Sequence, residues 1–340
     1  MRPLRSMGAR PDPALMRRSA RFDGHGFRNT MPGSPMPPDA ARKVLRELVF
    51  GKEKRRPSSP VPVMTPRFGS AEGLSAVWLG HASTLVEIDG YRVLIDPVWS
   101  LRCSPTQLAG PKRLHPMPLA IGELPALDAV VISHDHYDHL DLATVLALTR
   151  TQRMPFVVPL GIGAHLRHWR VPDSRIIELD WEEQTRIGDL TLTATEARHF
   201  SGRALARNET LWGSWVLAGP KHRAFYTGDT GYFPGFAEIG NRHGPFDLTL
   251  VQIGAYSPYW PDIHMTPEEA VTTHLDVRGG LLLPVHWATF NLALHSWGEP
   301  VDRIWLAAKE RDIRLAIPRP GERVKVDDPT EVDGWWQALA

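Results

Sequence analysis

Ser133-His134-Asp135-His136-Tyr137-Asp138-His139 is the stretch on which the reading of this chain turns. It follows an apolar run, Ala129-Val130-Val131-Ile132, and precedes a helical segment that opens near Asp141. Side chains alternate along a strand end, so His134 and His136 leave on the same side. The turn into the helix can return Asp138 and His139 to a neighbouring point. Imidazole and carboxylate suit a zinc-like divalent ion. One imidazole pair cannot close a site, so ligands from elsewhere are required. Three stand just after apolar runs. His199 follows Leu190–Thr195, Asp229 sits in Thr227-Gly228-Asp229-Thr230-Gly231, and His286 follows Leu281–Leu283. Such strand ends are where α/β folds place their sites.

Around this stretch the pattern is that of an α/β domain. Ala76–Gly80, Thr84–Ile88 and Tyr91–Asp96 read as strands, the last two joined through the Asp89-Gly90 turn. Further runs are Pro155–Val158, Arg175–Leu179, Leu211–Leu217, Ala224–Thr227 and Leu248–Ile253. Helical segments at Asp141–Thr149, Gly161–His168, Pro267–Leu275 and Val301–Arg311 interleave with them. Two packed sheets with helices outside are expected, with residues 68–340 as one domain. Of the 340 residues 42% are hydrophobic and 23% charged, which excludes wholesale disorder. The single cysteine, Cys103, excludes an intrachain disulfide framework and any multi-cysteine zinc site. There is no apolar run of spanning length and no signal-peptide pattern at the start. The expected compartment is the reducing cytoplasm.

The near-neutral total hides an asymmetry. Residues 1–67 carry 15 Lys and Arg against 5 Asp and Glu, a charge of +10, which leaves −9 for the rest. They also hold 11 of the 31 prolines, including Pro35-Met36-Pro37-Pro38. The expectation is a basic, Pro-rich arm, partly extended, with one helix over Pro38–Phe50. Anionic lipid headgroups or nucleic acid would suit its charge; the other reading is a solvated tail held by a few contacts.

His-x-His-x-Asp-His, a lone His, Gly-Asp-Thr-Gly and a final His together resemble the metallo-β-lactamase superfamily. Gly80-His81-Ala82-Ser83-Thr84, Leu211-Trp212-Gly213-Ser214-Trp215, Ile253-Gly254-Ala255-Tyr256 and His286-Trp287-Ala288-Thr289-Phe290 narrow the resemblance to one branch. That branch is N-acyl-phosphatidylethanolamine phospholipase D and its bacterial relatives, and the similarity covers Leu74 to Pro318. The resemblance implies a four-layer αββα sandwich, the metallo-β-lactamase fold. It implies that His134, His136 and His199 hold one zinc ion, that Asp138, His139 and His286 hold another, and that Asp229 bridges them. Manganese or iron would also suit the set. Asp96 closes the strand Val93-Leu94-Ile95 and reads as a carboxylate that orients a ligand imidazole. His81 reads as a support to the ligands or as purely structural. His264 matches a family histidine near the substrate phosphate.

The implied activity is that of a binuclear zinc phosphodiesterase. It would split N-acyl-phosphatidylethanolamine-like phospholipids into phosphatidic acid and an N-acylethanolamine through hydroxide attack, with Asp138, Asp229 and His264 as the catalytic set. A phospholipid or other phosphodiester is the expected partner, with peripheral contact to an anionic membrane at its inner face and room for a homodimer. Other readings are a lactone or phosphodiester hydrolase of the same fold, a nucleic-acid-processing hydrolase, and a non-catalytic binding module. The −9 body argues against tracking a polyanion, so nucleic acid is not expected. Every expected ligand is present, which argues against a degenerate module. The segments Tyr259–His264 and Leu294–Trp297 depart from the family pattern near the site's mouth.

Overall fold

The computed structural model describes residues 3–33, 37–203 and 206–340; Pro35 and Met36 of the proline run lie outside them. The strands are β1 (Leu74–Gly80), β2 (Ser83–Ile88), β3 (Tyr91–Ile95), β4 (Ala129–Val131), β5 (Phe156–Pro159), β6 (Ile176–Leu179), β7 (Gln184–Ile187), β8 (Leu190–Thr195), β9 (Ser214–Ala218), β10 (Arg223–Tyr226), β11 (Phe246–Gln252), β12 (Gly279–Val285), β13 (Arg314–Leu315) and β14 (Arg323–Lys325). The helices are α1 (Pro3–Ser6), α2 (Pro13–Met16), α3 (Ala40–Phe50), α4 (Leu142–Thr151), α5 (Ile162–His168), α6 (Gly235–His243), α7 (Pro267–Asp276) and α8 (Glu299–Glu310).

Two seven-stranded sheets face each other. One runs β14-β1-β2-β3-β4-β5-β6, the other β13-β12-β11-β10-β9-β8-β7. Each is mixed: β3 to β6 are parallel, as are β10 to β13, and the remaining pairs are antiparallel. Alternation along the strands sorts the core into layers. Ala76, Trp78, Val86, Ile88, Val93 and Ile95 point to the second sheet, where they meet residues such as Leu192, Trp215 and Leu250. Their neighbours Val77, Leu79, Leu85 and Leu94 point outward onto Val145 and Leu148 of α4 and Ile162 and Leu166 of α5. Helices α7 and α8 cover the outer face of the second sheet. The architecture is the αββα sandwich.

Local chemistry explains where elements start. Asp141 caps α4 by accepting from Ala143 N and Thr144 N. Thr266 and Glu269 close a capping box on α7, with Pro267 in its first turn. Two apolar runs are shorter as strands than their composition predicts. β4 stops at Val131 because Ser133 N turns to Asp96 Oδ1 (2.7 Å). β9 begins only at Ser214, because Leu211 and Trp212 belong to a small cluster with Met16, Phe27, Leu160 and Ala197. That cluster also changes the picture of the N-terminal segment. It carries α1, α2 and α3, and Met16 and Phe27 are buried against the body.

Candidate metal centre

The loops that carry the predicted ligands meet at one rim of the sandwich, where the parallel strands of both sheets end. After β4, His139 N and Leu140 N both donate to His136 O, a single tight turn that folds Asp138 and His139 back beside His134. His134 Nε2 lies 2.8 Å from His136 Nδ1, and His199 Nε2 lies 3.4 Å from that same atom. On the other side, Asp138 Oδ2 stands 3.4 Å from His139 Nε2 and 3.3 Å from His286 Nε2. Asp229 Oδ2 falls between the two groups. It is 3.1 Å from His139 Nε2, 3.1 Å from His286 Nε2, 3.8 Å from His134 Nε2 and 3.9 Å from His199 Nε2. All seven predicted ligands thus surround one point.

Backbone conformation aims them there. Gly228, just before Asp229, has φ +59°, and a Cβ on it would stand 2.7 Å from Gly213 O. His81, Asp96 and His286 hold φ of 55°, 40° and 64°. Left-handed non-glycine residues cost roughly 1–3 kcal/mol each and persist only where neighbours enforce them. Here His286 N donates to His81 O (3.0 Å), and Asp96 N donates to Val131 O (2.9 Å).

The far nitrogens of His139, His199 and His134 are fixed as well. Asp96, fully buried, accepts from His139 Nδ1 at 2.7 Å, Tyr226 Oη at 2.6 Å and Ser133 Oγ at 2.5 Å on one oxygen. His199 Nδ1 donates to Ile263 O at 3.0 Å, and His134 Nδ1 donates to Ser133 Oγ at 3.0 Å. In both rings the Nε2 lone pair is left toward the centre. Sequence reading missed Tyr226 and Ser133, although each stands at the end of a strand that leads to a ligand.

The charges favour a cation. Burial works against Asp229 ionising, but His139, His286 and His264 around it outweigh burial and hold its carboxyl well below the usual range. Asp138 is likewise held down against burial by His139, His286 and His81. Burial disfavours charge on His139 too, yet Asp229, Asp138 and Asp96 overcome it and raise that imidazole well above its ordinary value. His134 and His199 are pushed well below theirs by burial, so they present neutral rings. His139 Nε2, His286 Nε2 and Asp229 Oδ1 are buried and have no hydrogen-bond partner among the described residues. Such orphaned groups are costly unless something else binds them. A nitrogen-and-oxygen donor set of this kind fits divalent ions.

Two further residues reach the centre. His81 Nε2 lies 2.9 Å from Asp138 Oδ2, and His81 falls in one group with Asp138, His139 and His286 whose ligand atoms lie within 4.8 Å of one another. His264 Nδ1 is 4.0 Å from Asp229 Oδ2 and has no hydrogen-bond partner among the described residues. Burial pushes its imidazole down to about 3, so it is neutral. His264 also lines a cavity of about 410 Å³ shared with Tyr256, Pro258, Leu294 and Glu299.

Comparison with known proteins agrees with this geometry. Residues 91–287 match the β-lactamase superfamily domain. An uncharacterized protein of Mycobacterium tuberculosis is 53% identical over 331 residues, 95% of this chain and 89% of that one. The N-acyl-phosphatidylethanolamine-hydrolyzing phospholipase D 1 of Caenorhabditis elegans is 36% identical over 291 residues, 80% of this chain and 82% of that protein. Among solved structures, the metallo hydrolase Igni18 of Ignicoccus hospitalis superposes with a TM-score of 0.57 at 22% identity, covering 74% of this chain and 97% of that one, which speaks for the fold. The chain therefore belongs to the metallo-β-lactamase superfamily of metal-dependent hydrolases, as a homologue of the N-acyl-phosphatidylethanolamine-hydrolysing phospholipases D.

Proposed function

We propose that this protein is a binuclear metal-dependent phosphodiesterase of phospholipase D type, acting on N-acyl-phosphatidylethanolamine-like lipids. The observation that carries the reading is the position of Asp229 Oδ2, within 3.9 Å of ligand nitrogens from both groups. His134, His136 and His199 would hold one ion and Asp138, His139 and His286 the other, with Asp229 within reach of both groups. Zinc is the ion proposed. Bound there, the ions supply Lewis acidity toward a phosphoryl oxygen and lower the pKa of water to about 7.

The chain's own residues do the rest. Asp96 fixes the ring of His139 through its 2.7 Å bond. His81 holds Asp138 against rotation, at 2.9 Å. His264 is neutral, so it donates a hydrogen bond to a phosphate oxygen or to the leaving oxygen rather than changing charge. The cavity beside it has room for a headgroup. Helix α3 borders that mouth: Tyr259 Oη donates to Glu47, and Trp297 N donates to Lys54 O just beyond the helix. Leu45, Leu48 and Phe50 on the helix are exposed, alongside Arg42, Lys43 and Arg46. Apolar and basic side chains at the mouth support docking on an anionic membrane surface.

Hydrolysis in oxygen-18 water tests the reaction. Label is expected in phosphatidic acid and not in the N-acylethanolamine. Label in a fatty-acid carboxylate, with the phosphodiester intact, would overturn the assignment in favour of an ester or lactone hydrolase.

A further inference from the structure

Arg203 lies outside the ligand set, is 6% exposed, and is wedged between α1 and the 133–140 loop. Its Nη1 donates to Asp135 O at 2.6 Å and to Leu140 O at 2.7 Å. Its Nε and Nη2 donate to Ser6 O at 3.0 and 2.7 Å. The guanidinium stacks over Tyr137 at 4.1 Å, and Tyr137 Oη donates back to Arg203 O at 2.6 Å. A second connection runs beside the first. Ala9 N donates to His165 Nδ1 at 3.0 Å, which puts the ring proton on Nε2, and Nε2 donates to Asp135 Oδ2 at 3.2 Å. Trp169 Nε1 adds a bond to Arg5 O at 2.8 Å. Gly8 has φ +79°, and a Cβ on it would stand 2.1 Å from His165 Nδ1, so the close approach of this segment requires glycine.

We propose that Arg203 and His165 are positioning residues for the metal centre, through which residues 5–9 clasp the 133–140 loop. This rests on the reading of His134, His136, Asp138 and His139 as ligands. Asp135 and Leu140, the two residues that Arg203 grips, enclose three of those four. A planar fork bound to three carbonyls holds their spacing in a way that a lysine cannot. Ligand groups must be held within about 0.5 Å to bind an ion well, so the clasp acts on metal affinity. The N-terminal segment is thus part of the centre's support.

The test uses the full-length chain, as wild type, Arg203→Lys and Gly8→Val, each loaded with zinc and challenged with graded chelator. Retained zinc is measured directly, the absorption of the cobalt-substituted forms is compared, and amide exchange is followed over 133–140 in metal-free protein. Each variant is expected to release zinc at roughly tenfold lower chelator, the effect typical of groups that orient ligands. An altered cobalt spectrum and faster exchange in the loop should accompany it. Zinc retention and cobalt spectra equal to wild type would overturn the proposal, even if melting temperature fell. Gly8→Val loosens the clasp from the N-terminal side, at His165, with Arg203 unchanged, and decides the matter should Arg203→Lys not fold. A wild type that binds no zinc would instead overturn the metal reading itself.

Discussion

Asp229 Oδ2 and His264 Nδ1 lie 4.0 Å apart, yet removal of the two residues should have different consequences. Asp229→Ala takes away the one carboxylate oxygen common to both ligand groups, so kcat should fall by at least ~10³. His264→Ala removes a neutral hydrogen-bond donor, and a loss of roughly 10–10³ is expected. Steady-state kinetics on folded variants checks this; equal collapse of both would make His264 a ligand. The raised imidazoles set a pH dependence. His139 and His286 both lie above their ordinary value because, against burial, Asp229 and Asp138 favour their charged forms. A group with a raised pKa keeps its proton to higher pH, and an incoming ion must displace it. Metal affinity should therefore fall on acidification, by up to about tenfold per pH unit for each proton displaced, and level off once the pH exceeds the raised values. Metal titrations at several pH values, with proton release recorded, test this. That the seven side chains would converge was legible because each follows an apolar run. The 2.9 Å approach of His81 to Asp138 was not, since the two are 57 residues apart and nothing in their spacing records the contact.

Element boundaries were legible where periodicity and caps agreed, as for α7, and not where the pattern is polar. β7, Gln184-Thr185-Arg186-Ile187, is an edge strand with no buried residue, so hydrophobic runs cannot find it. α6 contains Gly235 and Gly240, poor helix formers, and Gly240 is there because a Cβ would stand 2.3 Å from Asp276 O. α3 was legible, and its exposed side chains carry a prediction. Leu45 is 62% and Phe50 76% exposed. If they insert into lipid, each is worth about 1.5–3 kcal/mol when fully buried. Leu45→Ser with Phe50→Ser should weaken binding to anionic vesicles at least about tenfold while sparing turnover of a soluble phosphodiester. Sedimentation with vesicles and a parallel soluble assay separate the two effects.

For the whole molecule, composition foretold a layered α/β body and left two readings of the N-terminal segment, a membrane-facing arm and a tail held by a few contacts. Its net charge and prolines signal solvation, whereas Met16 and Phe27 are each 1% exposed; two apolar side chains in 33 residues leave little trace in an average. The centre itself spans the seam of the sandwich. His134, His136, Asp138 and His139 leave the first sheet, while His199, Asp229 and His286 leave the second. Ions bound at that seam would stabilise the fold as a whole. An ion present at about 1,000 times its Kd adds ~4 kcal/mol, or roughly 5 °C in Tm for a chain of this size. Calorimetry before and after chelation should show at least that difference, reversed by added zinc.

The seam also imposes a schedule on synthesis. His134 leaves the ribosome long before His286, which follows β12 near the chain's end. Roughly 150 residues separate them, and at about 5–20 residues per second translation needs some 8–30 s to cover that span. Over that interval His199 and Asp229 are added in turn, while β12 and the last strand of the first sheet, β14, are still to come. The full cluster of seven side chains can therefore assemble only once β12 has been made, late in synthesis.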